Sequence, residues 1–291
     1  MTNPLHARFY ADSAVQCRAE VIENVQIARD TYRVRFACPE IAKTILPGQF
    51  IMLRLAGYDD PLLGRAFALY DTVLDQDGTR TGLEIVYLVM GKMTSRLARF
   101  IAGQQLELWG PLGNGFRPPS VDHLVLVAGG IGQSPFPALA QEVLGHRTYG
   151  DPARTAPAVQ KVTLCYGARS ADFLAGVEDF EKIGVDVRVS TDDGSQGKHG
   201  LVTSVLNEVL DEKSNQQIQV VCCGPEPMMK SVAEVAAAAG VSCQVSLETP
   251  MACGIGICFS CVAKVRQADG EWDYKRTCVE GPVFDADQIV W

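Results

Sequence analysis

Cys253, Cys258, Cys261 and Cys278 follow one another at the spacing C-x4-C-x2-C-x16-C, the first three inside the small-residue run Met251-Ala-Cys-Gly-Ile-Gly-Ile-Cys-Phe-Ser-Cys261. Four thiols at these intervals constrain the chain severely, because they serve one metal centre only if the backbone brings them together. The spacing is one that thiolate-held [2Fe–2S] clusters use. Gly254, Gly256 and Ser260 let the backbone curl closely enough to aim N–H groups at inorganic sulfide. A structural zinc site is the other reading, since Cys258 and Cys261 also form a C-x2-C knuckle that Cys278 would complete.

Composition narrows the remaining possibilities. A chain of 291 residues with 47% hydrophobic content can bury two cores and a small appendage. The net charge is −8, and no Lys/Arg cluster or basic stripe with interleaved aromatics occurs, so nucleic acid is not an expected partner. Met1 to Gln16 is polar and mixed, and the apolar runs elsewhere are too short for a membrane span, which predicts a cytoplasmic protein without a membrane partner. Outside the four-cysteine motif, Cys17, Cys38, Cys165, Cys222, Cys223 and Cys243 are scattered, and in a reducing compartment they read as buried thiols. His6, His123, His146 and His199 show no metal-ligand pairing and read as structural or surface residues.

Two periodicities divide the chain. From Val15 to Gly115 short apolar runs (Val21–Ala28, Thr31–Ala37, Phe50–Leu55, Ala66–Tyr70, Leu83–Met90 and Gln105–Trp109) are punctuated by Gly, Pro and Asp, the pattern of an antiparallel barrel. One helix is expected inside it, Thr94–Ile101, with Thr94 or Ser95 as N-cap and Leu97 and Phe100 or Ile101 facing inward. After Pro119 apolar strands (His123–Ala128, Lys161–Tyr166, Val185–Ser190, Ile218–Cys223 and Ser242–Leu247) alternate with helical stretches at Ser134–Leu144, Ala171–Ile183, Leu201–Leu210 and Glu226–Ala239. That alternation predicts a parallel sheet covered on both faces, a nucleotide-binding architecture. Gly145 to Gln160, rich in Gly, Pro, Ala and charge, reads as a surface loop of no fixed role. The last segment carries the cysteines and a hairpin, Val262–Arg266 with Trp272–Thr277, turned at Ala268-Asp-Gly270; it is small enough that a partner surface is the natural cover for a cluster.

Two turns in the second half suit a dinucleotide. Gly129-Gly-Ile-Gly-Gln-Ser-Pro135 follows an apolar strand and opens a helix, so its backbone can approach a pyrophosphate at a helix N-terminus. Proline stands where the strict G-x-G-x-x-G fingerprint has its last glycine. Cys223-Gly-Pro-Glu-Pro-Met-Met229 ends a later strand, and both turns would face one crevice at the carboxyl ends of a parallel sheet.

These residues carry a family resemblance. Gly129 to Phe136 and Cys223 to Met229 resemble the nicotinamide-site motifs of the ferredoxin–NADP reductase superfamily. Arg65-Ala-Phe-Ala68 sits where that superfamily has Arg-x-aromatic-Ser/Thr, and Gly110-Pro-Leu-Gly-Asn-Gly-Phe116 matches its barrel-to-nucleotide-domain junction. The cysteine module, with Arg276-Thr-Cys-Val-Glu-Gly-Pro-Val-Phe284 after the hairpin, is similar to that of the electron-transfer subunits of class 1B dihydroorotate dehydrogenase. The resemblance covers nearly the whole chain. It implies a multi-domain β plus α/β protein: an antiparallel FAD-binding β-barrel over 15–116, a Rossmann-like NAD-binding parallel-sheet domain over 117–247 and a small C-terminal [2Fe–2S] module over 248–291.

By the same resemblance Arg65 pairs with the FAD pyrophosphate, for which a planar guanidinium is suited. Ala66, Phe67 and Ala68 then line the flavin, Val86, Tyr87 and Leu88 the isoalloxazine, and Met93 with Thr94 meets the phosphates. Gly129, Gly130, Ile131 and Gly132, with Gly224, Pro225 and Glu226, hold NAD. Cys223 lies near the nicotinamide, or is a small thiol packed at a strand end. Ala68 replaces the usual hydroxyl, and Met93 stands where related chains often have glycine. Asp172, Asp192 and Asp193 are the candidate acidic partners of a ribose. The implied partner is an FMN-containing dihydroorotate dehydrogenase catalytic subunit in a heterotetramer of two of each chain, with electrons passing from dihydroorotate to FMN, cluster, FAD and NAD+ in pyrimidine biosynthesis. Two other readings remain at this stage: a reductase subunit of a hydrogenase or ferredoxin–NADP transhydrogenase, and a zinc-stabilised nucleotide-binding regulator without redox activity.

Overall fold

The computed structural model describes residues 11–212 and 216–291, so His6 and most of the polar N-terminal segment lie outside it. In the first half, β1 (Val15–Ala28), β2 (Thr31–Ala37), β3 (Phe50–Leu55), β4 (Arg65–Ala68), β5 (Asp71–Leu74), β6 (Arg80–Leu88) and β7 (Gln105–Leu112) form one sheet in the order β4-β3-β7-β1-β2-β6-β5. Every neighbouring pair is antiparallel. The sheet curls until its two sides meet, with the ring of Phe67 on β4 edge-on to Tyr87 on β6 at 6.0 Å. Val34, Phe36, Ile51, Leu53, Leu83 and Ile85 are buried inside the curl.

Two short helices accompany the sheet. α1 (Pro39–Thr44) has no polar N-cap to announce it; it rests on proline at its start and on the burial of Ile41 and Ala42. α2 (Lys92–Leu97) begins before the expected Thr94, with Gly91 as N-cap. Thr94 works from inside the first turn instead, its hydroxyl accepting the N–H groups of Met90 at 3.1 Å and Gly91 at 3.2 Å. Leu97 and Phe100 are buried and Ile101 is exposed.

The second half alternates strand and helix: β8 (His123–Gly129), α3 (Phe136–Val143), β9 (Lys161–Ala168), α4 (Val177–Lys182), β10 (Asp186–Thr191), β11 (Lys198–His199), α5 (Val202–Asp211), β12 (Ile218–Cys223), α6 (Glu226–Ala238) and β13 (Ser242–Ser246). β9, β10 and β11 extend to one side of β8, and β12 and β13 to the other, all parallel. The side on which the chain adds strands therefore switches between β8 and β12, where an open α/β sheet leaves a crevice beyond its strand ends. His123 is buried and bonded to Thr163 at 2.8 Å, while His146 and His199 are exposed.

The segment between α3 and β9 is not an idle surface loop. Tyr149 is fully buried, and its hydroxyl donates to Asp71 on β5 at 2.8 Å. Arg147 pairs with the same carboxylate at 2.9 Å and donates to the Thr72 carbonyl at 2.8 Å, and Gln141 on α3 donates to Asp71 at 2.6 Å. Arg154 turns back to Glu142 at 2.9 Å and to the Phe116 carbonyl at 2.7 Å. The segment straps the parallel sheet to the curled sheet.

At the C-terminus, β14 (Val262–Arg266) and β15 (Trp272–Arg276) form the expected hairpin. A third strand, β16 (Val283–Asp285), returns to pair antiparallel with β13 at the edge of the parallel sheet. Asn114, in the connection after β7, fastens it: the Val283 N–H donates to Asn114 Oδ1 at 3.1 Å, and Asn114 Nδ2 donates to the carbonyls of Val283 at 2.8 Å and Glu280 at 3.3 Å. Asn114→Ala leaves these part-buried backbone groups unpaired and is expected to lower unfolding stability by about 1–3 kcal/mol in denaturant titration. An unchanged midpoint and slope would show that water replaces the amide at no cost.

Candidate functional site

A cavity of about 540 Å³ opens where the curled sheet, the parallel sheet and the C-terminal segment meet. All nine residues that the resemblance assigns to FAD (Arg65, Ala66, Phe67, Ala68, Val86, Tyr87, Leu88, Met93 and Thr94) line it. They come together because β4 and β6, distant in sheet order, are brought face to face by the curl. Tyr87 is fixed by its hydroxyl, 3.1 Å from Asn24 Oδ1, while the Asn24 amide donates to the Leu97 and Phe100 carbonyls at 2.8 and 3.1 Å. Arg65 is exposed and donates to the carbonyls of Leu63 and Gly64, both at 3.0 Å. An apolar slot beside a cation bonded only to neutral oxygens among the described residues suits a planar ring with an anionic tail. The Thr94 hydroxyl is occupied within its own turn, so the N–H groups of that turn are what it leaves for a phosphate.

Of the residues expected at the dinucleotide, Ile131 and Cys223 reach the cavity wall. Gly129 ends β8, Gly130 and Gly132 lie in the tight turn after it, and Gly224, Pro225 and Glu226 lead from β12 into α6. The glycines have different reasons. A Cβ on Gly132 would stand 2.3 Å from the Cys223 carbonyl oxygen, so this glycine lets the two turns touch. Gly130, at φ +55°, faces open space, where a ligand can approach the backbone. Cys223 is buried, and desolvation with Glu248 nearby holds its thiol well above the usual range, so it is a neutral wall and not a thiolate. Glu248 is exposed onto the cavity, and the protein around it raises its carboxyl through partial desolvation. Asp172 follows β9, the strand beside β8, whereas Asp192 and Asp193 follow β10, one strand further out.

The cavity floor continues into the cysteine loop through Thr249, Pro250 and Met251. Gly254, at φ +74°, seats this loop on the curled sheet, since a Cβ there would meet Met52 at 2.5 Å. The Trp109 indole N–H on β7 donates to the Cys253 carbonyl at 2.8 Å. Cys261 and Cys278 are buried, Cys253 is half-buried and Cys258 is exposed. Their sulfurs fall into two interacting pairs, Cys253 with Cys258 and Cys261 with Cys278, and no three of the four lie within 4.8 Å of one another. One zinc ion would draw four sulfurs to about 2.3 Å from a single point. Two pairs instead suit two irons. The Ser260 hydroxyl, 3.1 Å from the Cys258 sulfur, pulls that thiol down to about 6, and the Cys278 thiol does the same for Cys261, so both are ready thiolate ligands.

Known proteins share this whole arrangement. The family descriptions "Oxidoreductase FAD-binding domain", "Oxidoreductase NAD-binding domain" and "Iron-sulfur cluster binding domain of dihydroorotate dehydrogenase B" match residues 18–116, 126–234 and 248–290. The "Dihydroorotate dehydrogenase B (NAD(+)), electron transfer subunit" of Caldanaerobacter subterraneus subsp. tengcongensis is 37% identical over 94% of this chain and 98% of its own length. That of Desulforamulus reducens is 35% identical over 94% and 97%. The chain belongs to the family of dihydroorotate dehydrogenase B electron transfer subunits. A chain of the NADH-dependent reduced ferredoxin–NADP oxidoreductase structure, described for flavin-based electron bifurcation, aligns with a TM-score of 0.77 and 28% identity over 94% of this chain and 90% of that one. The cytochrome b5 reductase domain of Ulva prolifera nitrate reductase, at TM-score 0.60 and 19% identity over 81% and 96%, shares the fold. Membership carries FAD, NAD and iron–sulfur binding, and the zinc-regulator reading falls with it.

Sequence reasoning missed Glu248 and Trp109 in this electron transfer subunit. Glu248 had one available signal, its position directly after a strand of the parallel sheet. Trp109 had none, because its partner Cys253 is far along the chain. In Trp109→Phe the ring still packs but the bond to the ligand loop is lost. The cluster is then expected to bleach faster under chelator or air while flavin occupancy stays full. Equal bleaching rates in the two proteins would show that the indole does not hold the loop.

Proposed function

We propose that this chain carries electrons between an FMN-containing dihydroorotate dehydrogenase catalytic subunit and NAD+, as a cytoplasmic protein in an assembly of two copies of each chain. The observation that carries the reading is one cavity walled by the Arg65–Ala68 strand, by Cys223 at the dinucleotide turn and by the root of the cysteine loop. On this reading the three cofactor sites border one cavity. No helix among the described residues is long and apolar enough to cross a membrane.

The residues of this chain bind, orient and insulate. When bound, FAD supplies the exchange between two-electron hydride transfer and one-electron transfer to a cluster. Arg65 would hold its pyrophosphate, and Val86, Tyr87 and Leu88 would form a wall fixed through Asn24. Ala68 offers no hydroxyl, so hydrogen bonds to the ring would come from backbone groups or from elsewhere in the wall, where Ser134, Ser246 and Thr249 also stand. Cys223 stays neutral and would stand with Ile131 against the nicotinamide, with the Glu248 carboxyl beside them. Gly130 would admit the dinucleotide backbone. Cys253, Cys258, Cys261 and Cys278 would hold the cluster, and the exposure of Cys258, Ile257 and Phe259 turns that edge outward, toward a partner.

The test is reconstitution with the matched FMN-containing chain. NAD+-dependent orotate formation is expected from the pair. Cys258→Ser should abolish it while leaving the catalytic chain able to oxidise dihydroorotate with an artificial acceptor. Absence of NAD+-dependent orotate formation from a fully loaded pair would refute the reading and turn attention to ferredoxin as the electron donor, the alternative that the 28% identical oxidoreductase chain represents.

A further inference from the structure

Six cysteines lie outside the cluster loop, and two of them meet. Cys17 is on β1 and Cys38 directly follows β2, yet their sulfurs are 3.1 Å apart. Strand register explains the encounter. β1 pairs with β2 only as far as Glu20 opposite Ala37, and below that point β1 continues beside β7 alone, with Cys17 opposite Leu108. The chain leaves β2 at Cys38, which is the N-cap of α1, and this bend sets the Cys38 side chain against the free flank of β1. The Glu40 carboxylate, in the first turn of α1, lies within 4.8 Å of both sulfurs.

The two thiols are not equivalent. Cys17 is half-buried and reachable by a small solute, whereas Cys38 is buried. The two sulfurs share one S–H···S contact in which either can donate, and sharing that proton lowers Cys17 against the opposing effects of burial and Glu40 while Cys38 is pushed up. The other cysteines outside the loop differ. Cys165, Cys222 and Cys223 are buried, and desolvation holds Cys243 up at about 12, a setting in which thiols are inert.

We propose that Cys17 and Cys38 form a peroxide-sensitive dithiol that closes to an intramolecular disulfide between β1 and the start of α1. The Cys17 thiolate attacks one oxygen of hydrogen peroxide, breaking the O–O bond; Cys17 becomes a sulfenic acid, and the departing hydroxide takes a proton to become water. The Cys38 sulfur then attacks the Cys17 sulfur, the S–S bond forms, and the sulfenic oxygen leaves as a second water with the Cys38 proton. Two thiols and one peroxide thus give one disulfide and two waters. Cys38 is already in contact, so closure outpaces further oxidation of Cys17. Neither residue lines the cofactor cavity, so the bond forms without disturbing bound flavin or cluster.

Trypsin separates the two cysteines cleanly, into the peptides Phe9–Arg18 and Phe36–Lys43, each with a single cysteine. The loaded protein is treated with hydrogen peroxide at doses that leave its visible flavin and iron–sulfur spectrum unchanged, alkylated and digested without reductant. The expected product is the two peptides joined, two hydrogens lighter than their sum and separated again by dithiothreitol. In Cys38→Ser the expected product is Cys17 sulfenic acid, captured by dimedone. Recovery of both cysteines singly alkylated, or of Cys17 as sulfinic acid without cross-linked peptide, in the unsubstituted protein would overturn the proposal.

Discussion

The pairing of β16 with β13 is the interaction on which the rest of the arrangement depends. Gln244, Val245 and Ser246 lie opposite Asp285, Phe284 and Val283, so the chain leaves the nucleotide sheet, forms the cysteine loop and hairpin, and is returned to the strand it left. A two-stranded hairpin alone is marginal in water. Held at both ends, β14 and β15 need no core of their own, and Val265, Phe284 and Ile289 join the core beneath β12 and β13. The cysteine loop is thereby pressed onto Met52, Trp109 and Leu112 of the curled sheet. Its position relative to both cofactor sites becomes a property of backbone hydrogen bonding and not of a flexible tether.

The second requirement is that the two larger sheets keep a fixed angle, because the cavity exists only between them. Two carboxylates do much of this. Asp71 on β5 receives Tyr149, Arg147 and Gln141 from the far side, and Asp179 on α4 receives Tyr70 at 2.8 Å and Arg33 at 3.1 Å from the curled sheet. Each acid is thus bonded across the junction by groups from the other half. Such contacts contribute modestly to stability one by one, but their geometry tolerates little sliding. Phe116 and Phe136, 5.9 Å apart, close the apolar side of the same seam.

Local features of the chain were legible wherever the backbone had a hard stop. Phe50–Leu55 and Ile218–Cys223 could be bounded to the residue because Pro47-Gly48, Gly57 and Gly224-Pro225 end the apolar runs. α1 and β5 were hidden, being short and held by what they pack against more than by caps or alternation. The strap after α3 reads from sequence as a surface loop of no fixed role, since nothing in Gly145–Gln160 signals that Tyr149 and Arg147 have partners at Asp71. The site divides in the same way. The cysteines and the Arg65–Ala68 and Gly129–Gly132 segments carry spacing or turn chemistry, so they could be read. Trp109 on Cys253, Asn114 on Val283 and Cys17 on Cys38 join residues remote in sequence, and only the fold reveals them.

In the proposed relay the dinucleotide, flavin and cluster sites of this one chain form a connected path without help from a partner. Anaerobic titration of the isolated, fully loaded chain with substoichiometric NADH, followed by electron paramagnetic resonance, tests it directly. The expected result is a reduced [2Fe–2S] signal that grows with each addition and is absent in Cys258→Ser, whose flavin still bleaches. A bleached flavin beside a silent, intact cluster in the unsubstituted chain would contradict it.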